Sequence, residues 1–211
     1  YTRPLVLMQN VGGMKKVTRT RAVLTYNAGP VSGLHGSKFT GQLYGMNNVI
    51  FTDMGGTSYD IGVVTDGEIK TYDFIPVIDR WRTNIPAIEV KSIGAGGGSI
   101  AWINTILGNR LEVGPRSAGS MPGPACYDQG GTEPTVTDAD VVLGYINPGN
   151  YLGGKMKLKK ELAEKAIRDK IAKPLGIDVV EAAVRIRRII DARMGQEVFN
   201  EVVLKGYDPR E

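Results

Sequence analysis

The segment from Asp53 to Asp60 contains residue types suited to binding a phosphate group. Its sequence is Asp-Met-Gly-Gly-Thr-Ser-Tyr-Asp, in which a Gly-Gly pair and two hydroxyl side chains lie between two carboxylates. Glycines let the main chain approach an anion, and successive N–H groups in a tight turn form an anion-binding concavity. The candidate phosphate ligands are Gly55, Gly56, Thr57 and Ser58.

The two carboxylates, Asp53 and Asp60, predict a role different from that of the glycines. Neither favours a bare phosphate, but beside a phosphate they are suitable acceptors for a magnesium ion, its water ligands or an attacking water. A tight β-turn whose aspartates cap main-chain N–H groups explains the same residues without a ligand. Both interpretations stay open for the segment taken alone.

Strand patterns on both sides of this segment must position it. Asn48–Thr52 is apolar with β-branched residues, which predicts a buried strand leading into the turn. Ile61–Thr65 and Glu68–Tyr72 predict two further strands. Asp66-Gly67 between them favours a type I′ hairpin turn, because that turn needs positive φ at both central positions.

Composition excludes several classes of function. The chain has 211 residues and a net charge of +4, without a basic stripe interleaved with aromatics, so we expect no nucleic-acid binding. It has no signal peptide and no apolar run long enough to span a bilayer, so we expect no membrane association. The single cysteine, Cys126, excludes an internal disulfide and fits a reducing cytoplasm; we expect an inert packed thiol. The single histidine, His35, is interpreted as a polar residue at the edge of the core.

The first half of the chain is expected to be rich in strands. Pro4–Met8 is predicted to be a short buried strand, Gln9–Lys16 a glycine-containing turn and Ala22–Tyr26 a second strand. A glycine-rich helix over Val31–Tyr44, with Pro30 at its first position, must pack close to a neighbour. Further strands are predicted at Ile100–Ile103 and Leu111–Val113.

The glycine-rich segment Gly94–Ser99 does not match the dinucleotide-binding fingerprint, because the third glycine is misplaced and no helix is expected to follow. A loop that lets the chain pass close to a core or to a substrate is the better interpretation.

Residues 114–140 are rich in glycine and proline but carry apolar and aromatic residues, which indicates an ordered loop. Thr137 is the expected N-cap of a short helix that ends at Gly144. Two amphipathic helices are predicted after it, at Lys159–Lys173 and Val179–Lys205. The inner stripe of the second helix is expected to be Ala183, Ile186, Ile190, Met194 and Val198. The chain starts without methionine and stops just past the last helix, so we expect a piece of a longer polypeptide or a processed subunit.

Six ordered motifs together make the chain resemble the hydantoinase A/oxoprolinase family. They are Thr52–Asp60, Ser92–Trp102, Val113–Gly119, Pro122–Tyr127, Gly130–Asp140 and Gly206–Arg210. The family belongs to the superfamily of acetate kinases, sugar kinases, heat-shock chaperone ATPases and actin.

The resemblance implies an α/β fold that is part of an actin-like ATPase (ribonuclease H-like) lobe, with a mixed sheet, an irregular Gly/Pro-rich insertion and C-terminal helices. Residues 1–211 would be one fragment of the family's domain. We expect it to consist of a β-rich phosphate-loop half at 1–113, the Gly/Pro-rich region at 114–150 and a helical part at 151–211.

The resemblance also implies ATP and Mg²⁺ as cofactors. Asp53 would act in catalysis by holding the magnesium hydration shell or orienting a water, with Asp60 as a second metal ligand. The loop Gly55–Ser58 would contact the β- and γ-phosphates. The family's first phosphate loop and its adenosine-side motif do not occur here, and Ala28 and Tyr59 depart from the residues common in the family.

The function implied is ATP-dependent hydrolysis of a cyclic amide C–N bond. One alternative is a subunit of an ATP-dependent acetone or acetophenone carboxylase, to which Met194–Gly206 is more similar. A second alternative is a non-catalytic module that docks a partner subunit through residues 114–140. The expected partners are the remainder of the same polypeptide or a hydantoinase B-type subunit, with a cyclic amide or a ketone as substrate; the isolated piece is expected to be inactive.

Overall fold

Strands dominate the first half of the chain and helices the second half in the computed structural model, which describes residues 3–73, 77–78 and 80–210. The strands are β1 (Val6–Met8), β2 (Met14–Lys16), β3 (Val49–Met54), β4 (Tyr59–Thr65), β5 (Glu68–Ile69), β6 (Val77–Ile78), β7 (Trp81–Arg82), β8 (Lys91–Ile93), β9 (Ser99–Asn104) and β10 (Arg110–Ser117). The α-helices are α1 (Ala28–Leu43), α2 (Val136–Leu143), α3 (Lys160–Ile167), α4 (Lys173–Leu175) and α5 (Val179–Leu204). A π-helical turn, Arg168–Ala172, joins α3 to α4.

The contacts divide the chain into two units, neither of which is continuous in sequence. The first unit contains Tyr1–Asp53, Asp60–Ser92 and Phe199–Glu211. The second unit contains Met54–Tyr59 and Ile93–Val198. The predicted phosphate loop thus belongs to the second unit, together with the glycine-rich segment, the Gly/Pro-rich region and most of the helices.

The first unit is built on the strands on either side of the phosphate loop. Strands β3, β4 and β5 are neighbours in one sheet, and β8 pairs with β4. The β4–β5 hairpin is antiparallel, and its turn residues Asp66 and Gly67 have φ of 53° and 73°, which confirms the predicted turn. The core of this unit consists of Val31, Leu34, Phe51, Val64, Ile88 and Val90.

Helix α1 of the first unit packs as closely as its glycines predict. A Cβ atom on Gly33 would lie 2.5 Å from the ring of Phe51, so no larger residue fits there without displacing the ring. The helix begins at Ala28, which places Pro30 in its first turn, where the missing N–H costs nothing. His35 is partly buried on this helix, and burial lowers its pKa, consistent with a position at the edge of the core.

Two predicted strands in the first unit differ from the structure. Ala22–Thr25 is a 3₁₀ helix, with Val23 43% exposed, because the Thr25 hydroxyl donates to the Ala22 carbonyl and, among the described residues, no strand pairs with this segment. The first strand is present as β1, but Val6 is 46% exposed, so β1 is not the buried strand predicted. Its partner β2 lies in a segment that the sequence predicted to be a turn.

The second unit combines the antiparallel β9–β10 hairpin with the helices. Its core joins residues of β10, α2, α3, the π-helical turn and α5. The predicted inner stripe of α5 is confirmed at four of its five residues, because Ala183, Ile186 and Ile190 are fully buried and Met194 nearly so. The fifth, Val198, is only partly buried. The helix predicted at Lys159–Lys173 is divided into α3 and α4 by the π-helical turn. Helix α4 ends at Gly176, which has a φ of 66°.

In the part of the chain that the structure describes, none of the helices combines the length and the apolar character needed to cross a bilayer.

Candidate functional site

A cavity of about 300 Å³ in the second unit is bordered by the predicted phosphate loop. Two glycine pairs form part of its wall, and the beginning of the Gly/Pro-rich region and helix α2 supply most of the rest. The lining residues are Met54, Gly55, Gly56, Gly97, Gly98, Gly119, Pro124, Tyr127, Thr137, Asp140, Ile146 and Tyr151. The cavity thus combines main-chain groups of glycines with a carboxylate and two phenols.

The two glycine pairs are joined by main-chain hydrogen bonds. The N–H of Gly97 donates to the carbonyl of Gly55 at 3.0 Å, and the N–H of Gly98 donates to that of Gly56 at 2.6 Å. A Cβ atom on Gly98 would lie 2.8 Å from the Gly56 oxygen, a distance that side chains do not tolerate. The segment predicted to let the chain pass close to a core or a substrate therefore lies directly against the phosphate loop.

The phosphate loop itself is a closed turn. The N–H of Gly55 donates to the carbonyl of Ser58 at 2.9 Å, and the hydroxyls of Thr57 and Ser117 lie 3.2 Å apart. Ser117 also accepts a hydrogen bond from the N–H of Gly119 at 3.1 Å. Sequence reasoning missed Ser117, although it lies in the family motif Val113–Gly119.

The predicted metal ligands lie at the ends of two strands. Asp53 is exposed in β3 and Asp60 is partly buried in β4, and the contacts assign both residues to the first unit. Among the described residues, no group of three or more His, Cys, Asp or Glu side chains could hold a metal ion. The roles of Asp53 and Asp60 stay predictions.

The N-cap of helix α2 is Thr135 and not the predicted Thr137. Thr135 and Asp138 form a reciprocal capping box, and helix α2 ends at Gly144 as predicted. Thr137 instead donates through its hydroxyl to the carbonyl of Gly97 at 2.8 Å. This bond ties α2 to the glycine-rich segment.

Asp138 is fully buried and organises the start of the Gly/Pro-rich wall. Its carboxylate accepts hydrogen bonds from the N–H groups of Ala125, Cys126 and Thr135 and from the Thr135 hydroxyl, at 2.8–3.2 Å. Both carboxylate oxygens therefore have protein donors, so the role of Asp138 is structural. Within residues 114–140, the first four belong to β10 and the last five to α2, and residues 134–139 are all buried.

Two other groups near the cavity stay protonated. Burial strongly raises the pKa of the Cys126 thiol, which agrees with the expected inert, packed side chain. The hydroxyls of Tyr127 and Tyr151 lie 2.8 Å apart, and burial, then the bond to Tyr151, raises the pKa of Tyr127.

Asp140 is the one carboxylate in the cavity lining among the described residues. Burial raises the pKa of Asp140 to about 6, although Arg187 lowers it. Arg187 Nε lies 3.3 Å from Asp140 Oδ1, but the N–H does not point at the oxygen, and neither atom has a hydrogen-bond partner among the described residues. Sequence reasoning quoted Asp140 as the end of a family motif and gave it no role.

The raised pKa of Asp140 predicts a pH-dependent stability. Between pH ~4 and ~6 the folded state binds more protons at Asp140 than the unfolded state does, so the free energy of unfolding falls as the pH rises through this window. The loss is at most about 3 kcal/mol, and it is complete above pH ~6. Asp140→Asn is expected to remove this part of the slope and to be more stable than wild type at pH 7, as measured by denaturant unfolding of both proteins at several pH values. An unchanged slope would contradict the assignment.

Comparison with known proteins identifies related chains. The profile of the hydantoinase/oxoprolinase family matches residues 1–211. The chain is 53% identical over 211 residues to the acetophenone carboxylase gamma subunit of Aromatoleum aromaticum, covering 100% of this chain and 29% of the relative.

Two solved structures are also similar. The ATP-dependent caprolactamase from Pseudomonas jessenii is 44% identical with a TM-score of 0.84, and the match covers 99% of this chain and 30% of that one. A nucleotide-free acetone carboxylase is 32% identical with a TM-score of 0.89, covering 98% and 29%. The chain thus spans about 30% of the length of these relatives.

These similarities extend over the whole chain and confirm the fold class expected from the six motifs, an α/β lobe of the actin-like ATPase type. The chain belongs to the hydantoinase/oxoprolinase family.

Proposed function

We propose that the complete protein uses ATP to activate a carbonyl oxygen of a small substrate by phosphorylation, with this chain forming one wall of the phosphate site. The observation that carries the proposal is the cavity of about 300 Å³ whose wall brings Gly55 and Gly56 against Gly97 and Gly98. A site that transfers a phosphoryl group works mainly by positioning it and by stabilising its charge. Main-chain glycines held rigidly by hydrogen bonds suit that task.

The residues have separate roles in this proposal. The N–H groups of Gly55, Gly97 and Gly98 already donate to main-chain carbonyl groups and hold the turn together. The candidates for phosphate contacts are therefore the N–H groups of residues 56–58 and the hydroxyls of Thr57 and Ser58. Asp53 and Asp60 fit Mg²⁺, since this ion is commonly held by one or two carboxylates together with substrate phosphates and waters. When bound, ATP with Mg²⁺ supplies the phosphoryl group.

Carboxylation of a ketone is the activity we favour within this class. The supporting observation is 53% identity to an acetophenone carboxylase subunit, against 44% to a caprolactamase subunit. ATP-dependent hydrolysis of a lactam or another cyclic amide, the activity first expected from the motifs, is the second candidate. Both begin with activation of a carbonyl oxygen and differ in whether the activated substrate reacts with bicarbonate or with water.

The test measures phosphate release from ATP by the complete protein with its partner subunits. Acetophenone and acetone, each with bicarbonate, are compared with hydantoin, 5-oxoproline and caprolactam. Stimulation by a ketone only with bicarbonate present supports the favoured activity, and stimulation by a lactam without bicarbonate supports the second candidate. No stimulation by any of them contradicts the proposal.

Asp53→Ala is expected to lower the stimulated phosphate release about 10- to 100-fold, as loss of an outer ligand of a metal site commonly does. Asp73→Ala, an exposed aspartate outside the motif, serves as the control and should keep full activity. If Asp53→Ala hydrolyses ATP as well as wild type, the segment is a structural turn and its assignment as a site is wrong.

The partner subunit is a separate part of the proposal. Relatives are named as gamma and alpha subunits, and we infer a hydantoinase B-type partner and a cytoplasmic location for this protein. A purely docking role for residues 114–140 predicts that complex formation survives Asp53→Ala while no substrate stimulates ATP hydrolysis. Burial of residues 134–139 favours a role in shaping the cavity over a docking role.

A further inference from the structure

Two carboxylates of helix α2 have very different surroundings. Asp138 is saturated by four donors from the protein. Asp140, two residues later, lines the cavity, and its Oδ1 is buried without a hydrogen-bond partner among the described residues. Arg187 Nε lies 3.3 Å from this oxygen but is not aligned for a hydrogen bond. A buried acceptor without an aligned donor is unusual, since most such atoms in folded proteins are paired.

We propose that Asp140 is the acid–base group of the cavity and that it takes a proton from the α-carbon of a ketone substrate. This inference rests on the proposed function, because it requires that a ketone be activated at this site. It assigns a role to a residue that neither the motif analysis nor the phosphate loop explains.

The charged side chains around Asp140 neutralise its carboxylate only in part. Arg187 of α5 approaches it from the protein side, with Nη1 3.5 Å from Oδ2. The same guanidinium is shared with Asp191 through a 2.9 Å contact from Nη2, so it neutralises Asp140 incompletely. The other titratable groups lining the cavity, Tyr127 and Tyr151, are phenols.

These surroundings give Asp140 the pKa of about 6 described above, for which burial is the main cause. A general base is most effective when its pKa lies near the working pH, because it is then both deprotonated and a sufficiently strong base. An exposed aspartate, with a pKa near 3.9, is a much weaker base. Burial in the cavity therefore adapts Asp140 to proton transfer.

The proposed step balances as follows for a ketone with a hydrogen on its α-carbon. The C–H bond breaks, the proton binds to the Asp140 carboxylate, and the electron pair forms a C=C bond while the carbonyl oxygen becomes an enolate. The enolate oxygen attacks the γ-phosphorus of ATP, so that an O–P bond forms and ADP leaves. The proton on Asp140 is then released to solvent or returned to a later intermediate.

The test uses the complete protein with its partner subunits, with acetophenone as substrate. Asp140→Asn is expected to lower kcat/KM about 10²- to 10⁴-fold, while the Kd for ATP, measured by calorimetry, changes less than twofold. The wild-type pH profile of kcat/KM should rise through pH ~6, and the variant should lack this limb. Asp140→Glu keeps a carboxyl group and should retain more activity than Asp140→Asn, with the rising limb present.

Asp73→Asn is the matched control, because Asp73 is exposed and does not line the cavity. It should keep activity within a few-fold of wild type. Wild-type-like activity of Asp140→Asn, or an unchanged rising limb, overturns the inference alone. Stimulation of wild type by a lactam only overturns the favoured ketone activity together with the inference. Failure of wild type to release phosphate with any of the substrates overturns the proposed function as a whole, so these failures are distinct.

Discussion

Asp138→Asn is expected to lower the free energy of unfolding by about 3–5 kcal/mol. The carboxylate is fully buried and accepts four hydrogen bonds, which hold the main chain at Ala125 and Cys126 against the N-cap of α2. Asparagine is nearly the same size, but its NH₂ group would face N–H donors. The loss would therefore come from unsatisfied donors and not from a cavity, and chemical denaturation of the complete protein would measure it.

Asp191→Asn is the control for the removal of an aspartate charge. Its side chain is 52% exposed, and its ion pair with Arg187 lies on the surface of α5, so the change should stay within about 0.5 kcal/mol. Similar small losses in both variants would show that the Asp138 carboxylate is not needed to organise the Gly/Pro-rich wall.

Gly98→Ala is expected to reduce substrate-stimulated phosphate release about 100-fold. The new methyl group would lie 2.8 Å from the Gly56 carbonyl oxygen and 2.9 Å from the Ser117 hydroxyl, so the two glycine pairs must separate. Separation breaks the 2.6 Å hydrogen bond between Gly98 and Gly56 and shifts the turn that we propose to hold phosphate. The same strain should cost about 1–3 kcal/mol of stability.

Gly195→Ala is the matched control for Gly98→Ala. Gly195 lies within α5, and apart from its chain neighbours and the backbone of its own helix, no described atom would lie within 4 Å of a Cβ atom there. Alanine is the better helix former, so this variant should be about 0.5–1 kcal/mol more stable than wild type and fully active. A Gly98→Ala protein with normal kinetics would show that contact between the two glycine pairs does not position the reacting phosphate.

Local chemistry predicted much of the fold. The Asp66-Gly67 turn follows from its two residue types, because few other pairs adopt positive φ twice in succession. The inner stripe of α5 follows from the helical spacing of Ala183, Ile186, Ile190 and Met194. In these segments the local preference and the tertiary packing agree, so the sequence pattern is sufficient.

Other segments depend on partners that the sequence does not reveal. Ala22–Tyr26 has the composition of a strand, but no strand in the described part of the chain pairs with it, and a side-chain hydrogen bond closes Ala22–Thr25 into a 3₁₀ turn instead. Thr135 and Thr137 are both suitable N-caps by type, and the contact of Thr137 with Gly97 decides between them. A pattern within one segment cannot show which distant group will take a given hydroxyl.

The candidate site was predicted in part for the same reason. The types and spacing of Gly55 and Gly56 indicated a phosphate loop, and the structure places both in the wall of a cavity. The importance of Asp140 depends on burial and on Arg187, which is 47 residues further along the chain. The only sign of Asp140 in the sequence was its position at the end of a family motif, in a segment predicted to be a short helix.

The discontinuous second unit has a consequence for synthesis on the ribosome. Residues Met54–Tyr59 emerge early but pack with residues of Ile93–Val198, while the first unit needs Phe199–Glu211 for completion. At about 5–20 residues per second, the roughly 100 residues between the last two segments of the first unit take about 5–20 s to appear. During that interval the nascent first unit lacks Phe199–Glu211, so its packing can be completed only after the whole of the second unit has been synthesised.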